Sequence, residues 1–301
     1  MKIGLLTDAP HNNLALMKLS TWHKMQGDEI YLNMPLEPVD KTYASILFDW
    51  NLFKYNADIY GGVQYPTVKL PDHIEWMKPD YELYNLDYSL GYTFRPCYRK
   101  CDFCLTKTLN HPDKKHHSIW EFHDRKFKKI CLLNNNTFID PLWEETFKEI
   151  WDAKLKLIEH GFDLRLMDEK KAEALKKTMF ESEIHFAWDR MEDEELILSR
   201  LNFIDQYKFN ARIYVLAGYN TTIEQDLYRC QHIFDHHHKP FIMLHKKGEI
   251  LDKLKTYINT FVCWHYRENL KAGFDEYLKG NYHPDDKRNK PVLNDTEALW
   301  S

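Results

Sequence analysis

The chain has 301 residues, 44% of them hydrophobic, and a formal net charge of -5. It can therefore bury a sizeable core, and it lacks the basic balance that would make a nucleic-acid backbone its default partner. No apolar run approaches the roughly 20 residues of a membrane span, so no membrane partner is expected. The N-terminus opens directly into a strand-like run, so no signal peptide is expected either. Six cysteines are too few for a disulfide scaffold in a chain this long, and the cytoplasm is the expected compartment.

Lys2 to Thr7 is a short hydrophobic run that predicts a strand. After a turn at Asp8-Ala-Pro-His11, the apolar positions Leu14, Leu16, Met17, Leu19, Trp22 and Met25 have helical period. Gly27 stops that helix and Glu29 to Leu32 predicts a second strand, which makes a βαβ opening. Tyr43 to Phe48 and Ala57 to Tyr60 are two more strand-like runs, the last ending in Gly61-Gly62. Residues 63 to 90 carry Pro66, Pro71 and Pro79 among many tyrosines. They read as an irregular connector in which Tyr81, Tyr84 and Tyr88 pack the chain down rather than line a pocket.

A strand expected at Leu90 to Phe94 delivers Cys97-Tyr-Arg-Lys-Cys101-Asp-Phe-Cys104, three thiols at a C-x3-C-x2-C spacing. Three thiolates in one short loop can hold three corners of a cubic iron–sulfur cluster and leave the fourth iron without a protein ligand. A zinc site with His111, His116 or His117 as fourth ligand is the alternative. Zinc knuckles, however, pair their cysteines, and no second pair follows here. Cys131, Cys230 and Cys263 stand alone among apolar residues and read as small core hydrophobes.

The segment Gly91-Tyr-Thr-Phe-Arg-Pro-Cys97 with Cys101-Asp-Phe-Cys104 resembles the cluster loop of radical S-adenosylmethionine (SAM) enzymes. The resemblance implies one 4Fe–4S cluster on Cys97, Cys101 and Cys104, with the amine and carboxylate of SAM on the open iron. It also implies an electron donor such as flavodoxin or ferredoxin, and reductive cleavage of SAM to a 5′-deoxyadenosyl radical that abstracts hydrogen from a substrate. Phe103 would shield the cluster and lie beside the adenine. The opening, from Asn13 to Asp28 plus Gly61-Gly62, resembles the N-terminal module of cobalamin-binding members of that superfamily. It is about half the usual length, and Asp8 and His11 are spaced D-x-x-H rather than D-x-H-x-x-G, so cobalamin is not expected.

Further strands are expected at Lys129 to Leu133, Phe162 to Leu166, Ile184 to Asp189, Ala211 to Gly218 and Pro240 to Leu244. Helices are expected between them at roughly 142–160, 169–178, 193–202 and 222–236. Six strands alternating with helices imply parallel pairing and an α/β fold, here a partial (β/α)6 TIM-type barrel. That count matches the radical SAM core, so the resemblance spans roughly residues 86 to 247. The domain expectation is 1–85 for a reduced Rossmann-like module and connector, 86–248 for the barrel and 249–301 for a helical extension.

In such barrels functional groups project from the C-terminal strand ends. Asn134-Asn135-Asn136 stands where many superfamily members carry a Gly-Gly-Glu-like motif, which implies Asn135 or Asn136 as partner of the cofactor's amino group; a simple strand-ending turn is the alternative. Arg165 alternates with Leu164 and Leu166 and would meet either the cofactor carboxylate or an aspartate of its own chain. Asp163 or Asp189 would pair with it or bind ribose hydroxyls, and Gly218 would leave room for adenine. Asp235-His-His-His238 reads as a helix C-terminus ahead of Pro240, not as a second metal site.

After Gly248, Ile250 to Phe261 and then Cys263 to Leu278 read as amphipathic helix, followed by a polar tail from Asn281 to Asn294. The expected activity is hydrogen abstraction from a small molecule or a modified side chain. A cobalamin-dependent methyltransferase or methylthiotransferase is the alternative enzyme, and a non-catalytic zinc or iron–sulfur adaptor the alternative outside catalysis.

Overall fold

A computed structural model describes residues 1–107, 114–159, 161–260 and 262–281; His111 and the tail beyond Asn281 lie outside them. The chain forms two compact units, Met1–Ile158 and Glu159–Ser301. In chain order the regular elements are β1 (Lys2–Thr7), α1 (Leu14–Met25), β2 (Glu29–Leu32), β3 (Lys41–Ser45), β4 (Ile59–Gly61) and a single turn, α2 (Asp72–Glu75). They continue with β5 (Ser89–Gly91), β6 (Lys129–Leu132), α3 (Trp143–Asp152), β7 (Lys156–Glu159), α4 (Glu169–Lys177), β8 (Ile184–Ala187) and α5 (Glu194–Asp205). β9 (Ala211–Ala217), α6 (Ile223–Asp235), β10 (Lys239–Leu244), α7 (Glu249–Asn259) and α8 (Leu270–Leu278) complete the order.

In the first unit, β2-β1-β3-β4 is a wholly parallel sheet, with Leu5 opposite Leu32 on one side and Tyr43 on the other. Helix α1 starts where the Asn13 side chain accepts from the Leu16 amide at 3.2 Å. Its Leu16 and Leu19 pack with Ile3, Leu5 and Tyr43 of this sheet. Met17, on another face, packs with Leu90 of β5, Cys131 of β6 and Tyr81 of the connector. Tyr81 is buried, and its hydroxyl donates to the Phe122 carbonyl at 2.6 Å, so the tyrosine-rich connector is packing material as expected.

The second sheet has the order β5-β6-β7, with β5 and β6 parallel. The other unit carries the parallel sheet β10-β9-β8, in which β9 shows strict alternation of buried and half-buried residues. The fold is α/β with parallel sheets, and no closed barrel exists among the described residues.

Two expectations in the middle of the chain need correction. The helix expected to run to residue 160 ends at Asp152, because Lys154 turns the backbone to φ 53 and Leu157 is drawn into a strand, β7. The strand expected at Phe162 to Leu166 is not one. Only Phe162 bridges, to Phe186, while Leu164–Leu166 form a 3-10 turn. The Asp163 carboxylate accepts the Arg165 amide at 3.2 Å, a local bond that competes with an extended ladder. The expected helix from Cys263 to Leu278 is likewise broken into a 3-10 stretch, Val262–Tyr266, and α8, which starts where Asn269 accepts from the Ala272 amide at 3.0 Å.

Candidate metal and cofactor residues

The cysteine loop leaves β5 at Gly91, where a Cβ would lie 2.4 Å from the Phe122 ring; only glycine allows the ring to close over the strand end. The Leu133 amide donates to the Gly91 carbonyl at 2.8 Å. Beyond that bond the ladder is continued by a side chain. Asn134 Oδ1 accepts from the amides of Thr93 at 2.9 Å and Phe94 at 3.0 Å, and its Nδ2 donates to Thr93 Oγ1 at 2.9 Å. Asn135 Nδ2 donates to the Arg95 carbonyl at 2.5 Å. Asn136 is buried and begins the 3-10 turn Thr137–Ile139. The asparagine run thus fixes the base of the loop two residues before Cys97, a role the sequence alone did not single out for Asn134.

Cys97, Cys101 and Cys104 are all partly exposed and in no disulfide. The Cys104 amide donates to the Cys101 carbonyl at 3.0 Å, its Sγ lies 3.0 Å from Thr106 Oγ1, and Lys107 Nζ donates to the Asp102 carbonyl at 2.6 Å. Phe103 is half-buried between two of the cysteines. Among the described residues no group of three or more histidine, cysteine, aspartate or glutamate side chains is gathered to hold a single metal ion. The donor set itself fits an iron–sulfur cluster: three soft sulfurs on one accessible loop with a fixed base. Two of the histidines named as zinc ligands have carboxylate partners, His116 Nδ1 with Asp140 at 2.6 Å and His117 Nδ1 with Glu121 at 2.9 Å.

The remaining cysteines are buried as expected. Burial pushes the Cys230 thiol upward and the Cys263 thiol up to about 12, so both stay protonated. The histidine run also follows expectation, with His236 at the C-terminus of α6 and its Nδ1 2.7 Å from Asp205.

In the second unit Arg165 is engaged by aspartates of its own chain. Nε and Nη2 meet the two Asp163 oxygens at 2.8 and 3.1 Å, and Nη1 meets Asp193 at 2.9 Å. Asp189 follows β8, and burial, opposed by Arg165 and Arg229, pushes its carboxyl up to about 6. Gly218 follows β9 at φ +75, and a Cβ there would lie 2.8 Å from Leu251, so its own backbone and α7 already require glycine.

What the sequence reading missed is the clamp beneath these residues. Arg229 and Asp226 of α6 are both fully buried and paired at 2.6 Å. Arg229 also donates to the Trp188 carbonyl at 2.6 Å and the Leu216 carbonyl at 2.9 Å, while Asp226 accepts the Gly218 amide at 3.2 Å. The pair therefore holds the ends of β8 and β9, where Asp189 and Gly218 stand. Charged residues at i and i+3 of a helix are too common to signal this.

No family model and no curated protein matches the chain. Among solved structures it is similar to the crystal structure of Streptococcus suis SuiB, with a TM-score of 0.45 at 10% identity over 65% of this chain and 53% of that one. SuiB bound to S-adenosylmethionine gives a TM-score of 0.43 at 11% identity, over 69% of this chain and 51% of that one. SuiB bound to the precursor peptide SuiA gives 0.42 at 11%, over 69% and 50%. The chain spans about half the length of these structures. A likeness this distant bears on neither residues nor activity.

Proposed function

We propose that the chain is a radical SAM enzyme that holds one 4Fe–4S cluster on Cys97, Cys101 and Cys104 and takes SAM at the iron those cysteines leave open. The observation that carries this reading is a C-x3-C-x2-C loop whose cysteines are partly exposed and whose base is fixed by Asn134 and Asn135. When bound, cluster and cofactor supply one-electron cleavage of the sulfonium for hydrogen abstraction. The chain's own residues bind and orient. Phe103 shields the loop, Asn135 and Asn136 serve the cofactor's amino group, Arg165 and Asp189 its carboxylate and ribose, and Gly218 its adenine. A partial (β/α)6 barrel is the architecture that goes with this reading. The substrate class is a small molecule or a modified side chain, and the electron donor a flavodoxin or ferredoxin.

The test is anaerobic reconstitution with iron and sulfide, followed by electron paramagnetic resonance of the reduced protein with and without SAM. A 4Fe–4S signal that shifts on adding SAM is expected. Stoichiometric zinc and no cluster under the same conditions would overturn the reading.

A further inference from the structure

Glu75 and Trp76 belong to the connector, yet both reach the stretch of chain that enters the cysteine loop. They are placed by the single turn α2, whose Ile74 packs with Leu16 and Leu19 in the core of the first sheet. Glu75 is buried, and its Oε1 accepts from Lys18 Nζ of α1 at 2.8 Å and from Arg95 Nη2. Lys18 donates to the Glu75 backbone carbonyl as well. Charge-assisted bonds shielded from water hold their partners harder than the same bonds at the surface. Trp76 adds a second hold. Its ring stacks on His117 at 4.8 Å, and the His117 amide donates to the Thr93 carbonyl at 2.8 Å.

Arg95 is thereby fixed at both ends. Its carbonyl accepts from Asn135 Nδ2, while its guanidinium lies 4.4 Å from the centre of the Tyr92 ring and ends on Glu75. Only Pro96, buried and with its φ set by its own ring, separates Arg95 from Cys97. A residue clamped through main chain and side chain and followed by proline leaves the chain little choice of direction at Cys97. That direction is set in part by a carboxylate 20 residues before Arg95.

We infer that Glu75 is a positioning residue for the cysteine loop and acts through Arg95. Its bearing on a cluster rests on the function proposed above, whereas the clamp on the loop does not. Lys18 shares the carboxylate and bonds nothing in the loop, which makes it the control.

Hydrogen–deuterium exchange of the metal-free full chain tests the inference, with β1 as the internal reference for the stability of the first unit. Two variants release Arg95: Arg95→Met, and the double variant Lys18→Met with Glu75→Gln, whose net charge equals that of the wild type. Each should speed exchange over Thr93 to Cys97 by about tenfold and leave β1 unchanged. Lys18→Met alone leaves a one-to-one ion pair and should exchange as the wild type does. After reconstitution with iron and sulfide, the two releasing variants should retain less iron and give a broadened electron paramagnetic resonance signal, and Lys18→Met should match the wild type. Unchanged exchange over Thr93 to Cys97 in both releasing variants, equal acceleration in Lys18→Met, or acceleration only together with β1 overturns the inference. A wild type that takes up no cluster overturns the proposed function instead, and the exchange rates then decide on Glu75.

Discussion

Asn134 accepts two main-chain hydrogen bonds through one side-chain oxygen, from Thr93 and Phe94, forty residues upstream. It does for the chain after β5 what another strand residue would do, and so fixes the path into the cysteine loop. Asn134→Ala leaves the amides of two buried residues without that acceptor, at a cost of about 1–3 kcal/mol. Iron retained after reconstitution should fall with it. Urea unfolding with parallel iron analysis checks this, and a variant with wild-type stability and iron content would show the bonds to be incidental.

The six cysteines should divide into two classes. Replacing Cys97, Cys101 or Cys104 by alanine is expected to abolish iron retention and leave the melting temperature of the metal-free protein nearly unchanged, since all three are partly exposed. Cys230→Ser should do the reverse, keeping iron while placing a hydroxyl in a fully buried site, with a loss of about 1–3 kcal/mol. Iron-to-protein ratios and thermal melts of the four variants distinguish the classes.

The Asp226–Arg229 pair is fully buried and joined to two carbonyls and an amide at the ends of β8 and β9. Asp226→Ala leaves a buried guanidinium without its counter-charge, and a loss of about 3–5 kcal/mol is expected. Denaturant midpoints measure it; a shift equivalent to less than about 1 kcal/mol would mean that water reaches the site and solvates the arginine.

Asp189 gives a pH signature. Its folded carboxyl is raised from 3.8 to about 6, mainly by burial, so the folded state binds the proton more tightly than the unfolded chain does. The stability this contributes is fully present below pH 3.8 and is lost as pH rises through about 6. Asp189→Asn removes that dependence and should stabilise the protein at pH 7, by about 1–3 kcal/mol. Melting curves of both proteins between pH 4 and 7 provide the comparison, and parallel profiles would count against a raised Asp189.

The strands that were legible in the sequence are those whose apolar pattern matches their burial, as in β9, where alternate residues from Ala211 to Ala217 are buried. Arg165 misled because Leu164 and Leu166 flank it as they would in a strand, and a 3-10 turn held by Asp163 produces the same spacing over so short a span. The cysteine loop was legible because its three cysteines are close in sequence. Its supports were not, since Asn134 and Arg95 act on partners 20 to 41 residues away. Lys18 and Glu75, at a separation of 57, carry no local pattern at all.

Helix α1 serves two sheets, with Leu16 and Leu19 on β1 and β3 and Met17 on β5 and β6. Neither sheet can therefore be removed without exposing the other's packing surface to water. Proteolysis or truncation between residues 85 and 86 would yield two unstable pieces rather than a trimmed protein, and the first 158 residues should melt in one cooperative step. The N-terminal strands are in that sense part of the scaffold of the cysteine loop, and on the proposed reading a lesion in β1 would surface as a loss of iron.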